Sequence, residues 1–240
     1  RWKTEPSVHI ILAQSPQART GIPETDMKRE YPKTYAYFRL FEKQLRQRAS
    51  SSVRRLMETG AFYSMFGVGS YTMSPWKVVF KELATFFQAA VLNADEEGNI
   101  ILPDTKVRFI PCDSATEGFY LCALLNATPA VLVLYVTAQW VQTPDYQASD
   151  IQKLLLPKFN PNDTLHLRIA NLSERCHDAK ATGDEGTIAA LESEIDKAAA
   201  QLWGITDDEL KVIQDALKDT ARPNRKKQED ESCLLDRADY

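Results

Sequence analysis

The chain has 240 residues with 44% hydrophobic and 26% charged content, which is typical of a soluble globular protein of one large or two small domains. No apolar run reaches the roughly 18 residues that a membrane-spanning helix needs. The net charge of −4 argues against a protein that coats nucleic acid indiscriminately, but residues 1–111 carry a net +5 and residues 112–240 a net −9, so a polyanion is expected to meet the first part.

The first elements mix one apolar run with helical periodicity. Residues 8–13 (VHIILA) predict a short buried strand, and residues 14–31, rich in Pro, Gly, Thr and charge, predict a loop. Pro32 suits a helix start, and the apolar residues of 34–48 recur at helical spacing. Residues 53–58 predict a further turn or two of helix after a serine-rich break.

A segment of different character follows. Residues 62–76 interleave aromatic side chains with glycine and serine, and we call them the glycine-aromatic loop. Strands are then predicted over residues 76–82, 86–93 and 99–102, with a turn at 95–98, and a fourth strand over 106–112. Residues 116–126 and 128–140 predict two apolar helices offset at Pro129, and residues 150–156 predict an apolar strand.

The last third of the chain predicts helices alone. Residues 164–181 and 187–203 have helical periodicity, and Gly204 suits the end of the second of these helices. Thr206 and Glu209 have capping-box spacing, which predicts a last helix to about residue 217. The charged residues 219–240 predict a flexible tail.

These elements predict a mixed α/β (α+β) fold, with a small mixed sheet and flanking helices followed by an all-helical subdomain. The predicted division is a domain over residues 1–160, a helical subdomain over 161–218 and a tail over 219–240.

The residues that bind metals are scattered along the chain. Four cysteines lie far apart without a CxxC pair, which indicates free thiols in a reducing cytoplasm and neither a disulfide framework nor a zinc site. The three histidines are equally dispersed, so no metal site is predicted. The chain begins at Arg1 and not at methionine, so we expect a piece of a longer polypeptide.

Five short segments, in order over about residues 28–217, carry a resemblance to a known family. They are residues 31–48 (YPKTYAYFRLFEKQLRQR), 63–80 with FGVG and PWKVV, 120–126 (YLCALLN), 155–157 (LLP) and 202–210 (LWGITDDEL). Together they resemble the C-terminal target-recognition region, of the Taq type, of bacterial N6-adenine DNA methyltransferases of restriction-modification and related defence systems. The LLP segment departs from the usual pattern, since leucine replaces the Ile-Pro pairing.

The resemblance implies sequence-specific recognition of duplex DNA by this chain. The catalytic motifs of the family are missing: no glycine-rich turn for S-adenosylmethionine leads into a helix, and residues 160–163 (NPND) lack the second proline and the aromatic residue that hold a flipped adenine. Whether the chain is itself an enzyme stays open. We expect the S-adenosylmethionine-dependent methyltransferase domain upstream in the same polypeptide, and no cofactor in this part.

A basic stripe is the first candidate DNA contact. Arg39, Lys43 and Arg46 recur at i, i+4 and i+7, which places them on one helix face where they can meet phosphates. The alternative is a solvated helix face on which Glu42 serves as an intrahelical partner.

The glycine-aromatic loop is the second candidate contact. Its glycines allow the backbone to approach a surface closely, and its hydroxyl groups can bond to phosphates or base edges. The candidate residues of this loop are Ser64, Gly67, Gly69, Ser70, Tyr71 and Thr72. Lys77, at the start of the next strand, is expected to face the groove of the bound DNA. The alternative is that Phe62, Phe66 and Trp76 are core anchors.

The sequence therefore predicts a cytoplasmic DNA-recognition module that positions a target adenine for the upstream methyltransferase domain. A protein-interaction module of a phage-defence or restriction complex is the alternative from another class. A stand-alone enzyme of unknown chemistry has no motif in its favour.

Overall fold

The computed structural model describes residues 2–4, 8–14, 20–95, 97–140 and 142–221. The fold is mixed α and β, with 54% of the described residues in helices and 10% in strands, which confirms the predicted fold class. The predicted tail over 222–240 lies outside the described residues, whereas residues 219–221 belong to the last helix.

Four short helices occupy the first part of the chain: α1 (Glu24–Glu30), α2 (Pro32–Leu40), α3 (Glu42–Arg46) and α4 (Ser51–Thr59). Pro32 begins α2 as predicted, since its fixed φ suits the first helical turn. The helix predicted over 34–48 is interrupted at Phe41, which has φ −111° and ψ 8°. Phe38 stacks on Tyr63 at 5.1 Å, so α2 packs on the chain that follows α4.

Two predictions for the region before α2 are wrong. Residues 8–13 form no strand: Val8, Ile10 and Ile11 are 77%, 51% and 52% exposed. An apolar run becomes a strand only where another strand completes its hydrogen-bond ladder, and none of the described strands pairs with it. The loop predicted over 14–31 contains α1, whose Met27 is buried.

A three-stranded antiparallel sheet follows, with order β2-β1-β3, from β1 (Trp76–Lys81), β2 (Ala89–Leu92) and β3 (Val107–Cys112). A second ladder joins β4 (Gln139–Trp140) to β5 (Pro144–Asp145). The predicted strands over 76–82, 86–93 and 106–112 are confirmed. The strand predicted over 99–102 is wrong, because these residues join neither described ladder.

Helices cover one face of the sheet. They are α5 (Ala115–Asn126), α6 (Thr128–Thr137), the short α7 (Ala148–Gln152), α8 (Thr164–Thr182), α9 (Glu185–Trp203) and α10 (Asp207–Ala221). The main core joins Val78 of β1 with Leu124 of α5, Ile169 of α8 and Ile195 of α9. It therefore contains residues from both sides of position 160, and the predicted domain division stays a prediction.

The end of α9 and the start of α10 agree with the capping predictions. Gly204 ends α9 in the left-handed region at φ 69°, where glycine has no steric cost. Before α10, the backbone amide of Glu209 donates to the Thr206 hydroxyl at 3.3 Å, and the Glu209 carboxylate accepts from the Thr206 amide at 2.8 Å. This reciprocal pair is the predicted capping box.

The strand predicted over 150–156 is wrong. The Asp150 carboxylate accepts from the Gln147 amide at 2.9 Å and from the Lys153 ammonium at 2.8 Å, which starts α7 in place of a strand. Leu155 then has φ 48° and is 84% exposed. Local side-chain hydrogen bonds thus outweigh the β propensity of the apolar run.

No single helix in the described part of the chain is long and apolar enough to cross a bilayer. Helices α5 and α6 reach that length and composition only as a pair, and the chain bends by 64° between them.

Helix side chains cover the outer edge of β2. The Asn126 amide donates to the carbonyl of Ala89 and accepts from its N–H, both at 2.9 Å. Two residues along, the Val91 N–H donates to Nε2 of His177 at 2.9 Å. Because Nε2 accepts, Nδ1 carries the proton and donates to the Ser173 carbonyl at 2.7 Å. These contacts satisfy edge groups that an edge strand leaves open.

We expect Asn126→Leu to lower the free energy of unfolding by about 2–4 kcal/mol. The substitution leaves the buried amide of Ala89 without a partner and removes the hydrogen bond from Asn126 to the Ala89 carbonyl. Urea denaturation measures this change. Asn93→Ala, at an exposed position just after β2, is the control and is expected to change it by less than about 0.5 kcal/mol. Equal effects of the two substitutions would contradict the edge role of Asn126.

His177 makes the stability depend on pH. Burial lowers its pKa below the usual 6.5, so the unfolded chain binds the proton more tightly than the folded one. The free energy of unfolding is therefore expected to fall as the pH drops below about 6.5. Urea midpoints at pH 7.5 and 5.5 test this, and His177→Gln is expected to have the smaller difference. Parallel pH profiles for the two proteins would exclude the proposed linkage.

Candidate nucleic-acid interface

The strongest positive charge lies on the helices α2 to α4. Residues 32–59 carry seven Lys and Arg against two Glu, a net charge of +5. In contrast, residues 163–221, which form α8 to α10 with their caps, carry six Lys and Arg against 13 Asp and Glu, a net charge of −7. The asymmetry of the sequence is thus a separation between elements of the fold.

The predicted basic stripe is exposed but partly neutralised. The side chains of Arg39 and Arg46 are 54% and 50% exposed, and both pair with Glu42. The hydrogen bond from Arg46 and the charges of both arginines hold the pKa of Glu42 below its usual value. Lys43 is exposed and forms no ion pair with the described residues. The predicted cationic face and its alternative, pairing through Glu42, are therefore both present.

Two further arginines extend this charge, and we call Arg39, Lys43, Arg46, Arg54 and Arg55 the basic surface. Arg54 and Arg55 are exposed on α4. The Ser50 hydroxyl caps this helix by accepting from the Val53 amide at 3.5 Å.

The end of α3 contacts the glycine-aromatic loop. The Arg46 guanidinium lies 5.3 Å from the centre of the Phe62 ring. Arg48 donates to the carbonyls of Leu45 and Phe62 at 2.9 and 2.8 Å, and desolvation lowers its pKa. The two predicted contact regions, which are separate in the sequence, therefore touch at Phe62. Arg48 therefore supports the fold of the glycine-aromatic loop.

Three predicted contact residues are buried, so the expectation that they face a ligand is wrong for this structure. The Ser64 hydroxyl donates to the Ala61 carbonyl at 2.7 Å and accepts from the Gly21 amide at 2.9 Å. The Thr72 hydroxyl donates to the Gly69 carbonyl at 2.6 Å. Both side chains therefore stabilise the fold of the loop.

Lys77 is the third of these residues. It is only 1% exposed, its ammonium donates to the Ser74 carbonyl, and desolvation lowers its pKa. Alternation along β1 places it on the same face as Val79, which packs with Leu92 and Phe109 and not with the helices. The side chain thus lies beneath the loop and does not face outward, as a contact with a DNA groove would require.

The other predicted loop residues lie at or near the surface. Gly67 and Ser70 are exposed and Gly69 is partly exposed. Tyr71 is 49% exposed: its ring stacks on Phe109 at 5.7 Å, and its hydroxyl donates to the Gly67 carbonyl at 2.7 Å.

The core-anchor alternative holds for two of the three aromatic residues. Phe62 is fully buried, and Trp76 is partly buried against the main core. Phe66 is 63% exposed and is not an anchor. Tyr37 and Leu40 of α2 are also exposed, as is Phe41 just after this helix.

A second candidate site is a cleft of about 700 Å³ beside α9 and α10. Its buried carboxylate, Asp196, accepts from the amide and hydroxyl of Thr128 at 2.7 and 2.6 Å and from Gln214 at 2.9 Å. These bonds hold α6 and α10 against α9. No group of three His, Cys, Asp or Glu side chains is placed to hold a metal ion within the described ranges.

The described cysteines are also structural. Cys112, Cys122 and Cys176 are buried and form no disulfide with one another, and Cys233 lies outside the described residues. Burial raises the pKa of Cys112 to about 12, which keeps this thiol protonated and unreactive near neutral pH.

Part of the chain is similar to a known methyltransferase. The chain is 32% identical over 110 residues to the type II methyltransferase M.NspV of Nostoc sp., a match that covers 46% of this chain. The match covers 22% of the relative, so it spans about a fifth of that protein's length. No protein-family model matches the chain. The sequence is therefore related to a type II methyltransferase, and this part of the resemblance is confirmed.

Gly67 provides a test of the loop geometry. Its φ is 76° and no atom lies within 4 Å of the position of an added Cβ, so the constraint is conformational and not steric crowding. Gly67→Ala is expected to lower the free energy of unfolding by about 1–2 kcal/mol. The matched control is Gly186→Ala in α9, which is expected to raise it by about 0.4–1 kcal/mol. Thermal or urea unfolding that gave both variants the same sign would refute the assigned conformation.

Proposed function

We propose that this chain recognises duplex DNA and positions a target adenine for an S-adenosylmethionine-dependent N6-adenine methyltransferase domain in the same polypeptide. The observation that carries the proposal is the relation to a type II methyltransferase, read together with the family resemblance of the five segments. The basic surface and the adjoining glycine-aromatic loop provide the contacts.

Charge determines which side of the molecule meets DNA. Each phosphate contact by Lys or Arg releases condensed counterions, which favours binding to the +5 region over residues 32–59. The −7 region formed by α8 to α10 repels the same polyanion, so the duplex approaches from the side of α2 to α4. In this arrangement, phosphate contacts fix the register and the loop contributes contacts to the bases.

The work assigned to this chain is positioning. S-adenosylmethionine supplies the methyl group when it is bound in the catalytic domain of the parent enzyme. The residues of this chain hold the duplex so that one adenine leaves the base stack at the entrance of that catalytic site. The cost of unstacking is offset by the phosphate and loop contacts made here.

Fluorescence anisotropy with a labelled duplex of about 30 base pairs tests DNA binding. With about four phosphate contacts, the affinity is expected to fall by about two orders of magnitude between 50 and 200 mM salt. Duplex of any sequence serves, because the electrostatic part of binding is independent of sequence. Binding that is absent, or insensitive to salt, would contradict the proposal and favour a protein-interaction module.

Charge substitutions locate the contact. Lys43→Glu is expected to lower duplex affinity by about tenfold at 50 mM salt, because it removes a phosphate contact and adds repulsion. Glu42→Gln is expected to raise affinity a few-fold, since it frees Arg39 and Arg46 from their ion pairs. Lys197→Glu makes the same charge change on an exposed site of α9 and is the control. An equal loss of affinity for Lys43→Glu and Lys197→Glu would show that the basic surface is not the contact.

A further inference from the structure

Phe66 is an exposed aromatic side chain that closely follows a buried segment, residues 61–64. It is 63% exposed, whereas Phe62, Tyr63 and Ser64 before it are at most 3% exposed. Exposure of a large apolar side chain beside buried neighbours has a free-energy cost of about 1.5–3 kcal/mol relative to burial. The fold therefore directs this ring outward although the adjacent aromatic rings enter the core.

The backbone around Phe66 is held on both sides. The buried Gln14 side chain accepts from the Met65 amide at 3.0 Å and donates to the Val68 carbonyl at 3.2 Å. The Tyr71 hydroxyl donates to the Gly67 carbonyl at 2.7 Å, and Gly67 turns the chain with φ 76°. The ring is thus presented from a turn whose position is fixed before any ligand binds.

Two arginines contact the start of the loop that carries Phe66. Arg46 of the basic surface lies against Phe62, and Arg48 bonds to the carbonyl of Phe62, four residues before Phe66. A polyanion drawn to α3 therefore meets the loop that carries the exposed ring. Tyr71 is less available, since its ring is already stacked on Phe109 and its hydroxyl is bonded within the loop.

We propose that Phe66 is an apolar wedge that inserts against a base step of the bound duplex and partly unstacks it. This inference rests on the proposed function. A wedge beside the basic surface requires a ligand that combines a polyanionic backbone with stacked aromatic rings, and duplex DNA has both. A ring held by a preformed turn loses little conformational entropy on insertion, so its stacking contributes to affinity and to unstacking of the base pair.

Affinity of three variants tests the wedge. Phe66→Ala is expected to lower duplex affinity by about tenfold or more while leaving the salt dependence unchanged, because the ring contacts no phosphate. Phe66→Trp retains a stacking ring and is expected to bind within about threefold of wild type. Val212→Ala removes an exposed apolar side chain from α10 and is the control, with no expected change. Since Phe66 is exposed, thermal unfolding is expected to be the same for all four proteins.

A topological measurement separates wedging from simple contact. A nicked plasmid is saturated with protein and sealed by ligase, and the change in linking number reports unwinding of the duplex. Wild type and Phe66→Trp are expected to shift the topoisomer distribution, as is Lys43→Glu at saturating concentration, whereas Phe66→Ala is not. If Phe66→Ala binds and unwinds DNA like wild type, the wedge is wrong while the proposed function stands. If wild type binds no duplex, both are wrong.

Discussion

The attachment of the sheet to the helices depends on hydrogen bonds between helix side chains and the edge of a strand. Asn126 of α5 bonds to both backbone groups of Ala89, and His177 of α8 accepts from Val91 two residues farther along β2. Strand β2 therefore has β1 on one side and polar helix side chains on the other. This explains why polar residues occur on otherwise apolar helix faces: each replaces the next strand of the ladder.

The oppositely charged helices belong to different cores. Helix α8 is held to the sheet through His177, and α9 packs on α8 through the main core, so the acidic helices stay on the helical side of the sheet. The basic helices α2 to α4 have a separate small core around Met27, Phe62 and Tyr63. The positive charge is thus concentrated on helices that do not share a core with the acidic helices, although the protein as a whole is negatively charged.

Burial redistributes the roles of the candidate residues. Ser64, Thr72 and Lys77 are polar, yet they are the residues that the loop uses internally, and their hydrogen-bonding groups are directed to backbone atoms. Phe66 is apolar, yet it is exposed. Residue type alone predicts the opposite roles, because polar groups near a predicted site suggest contact and aromatic rings suggest a core. The exposed ring of Phe66 therefore indicates more about ligand contact than the buried polar side chains of the loop do.

Local signals in the sequence determined several helix ends and the strands β1 and β3. Pro32, Gly204 and the Thr206–Glu209 pair act within one helical turn, and β1 and β3 carry their β propensity wherever they lie. Residues 8–13 and 150–156 have the same apolar character but form no strand, because a ladder requires a partner that only the tertiary structure provides. The charge asymmetry was likewise present in the sequence, whereas the contact between Arg46 and Phe62 and the outward position of Phe66 were decided by packing between segments distant along the chain.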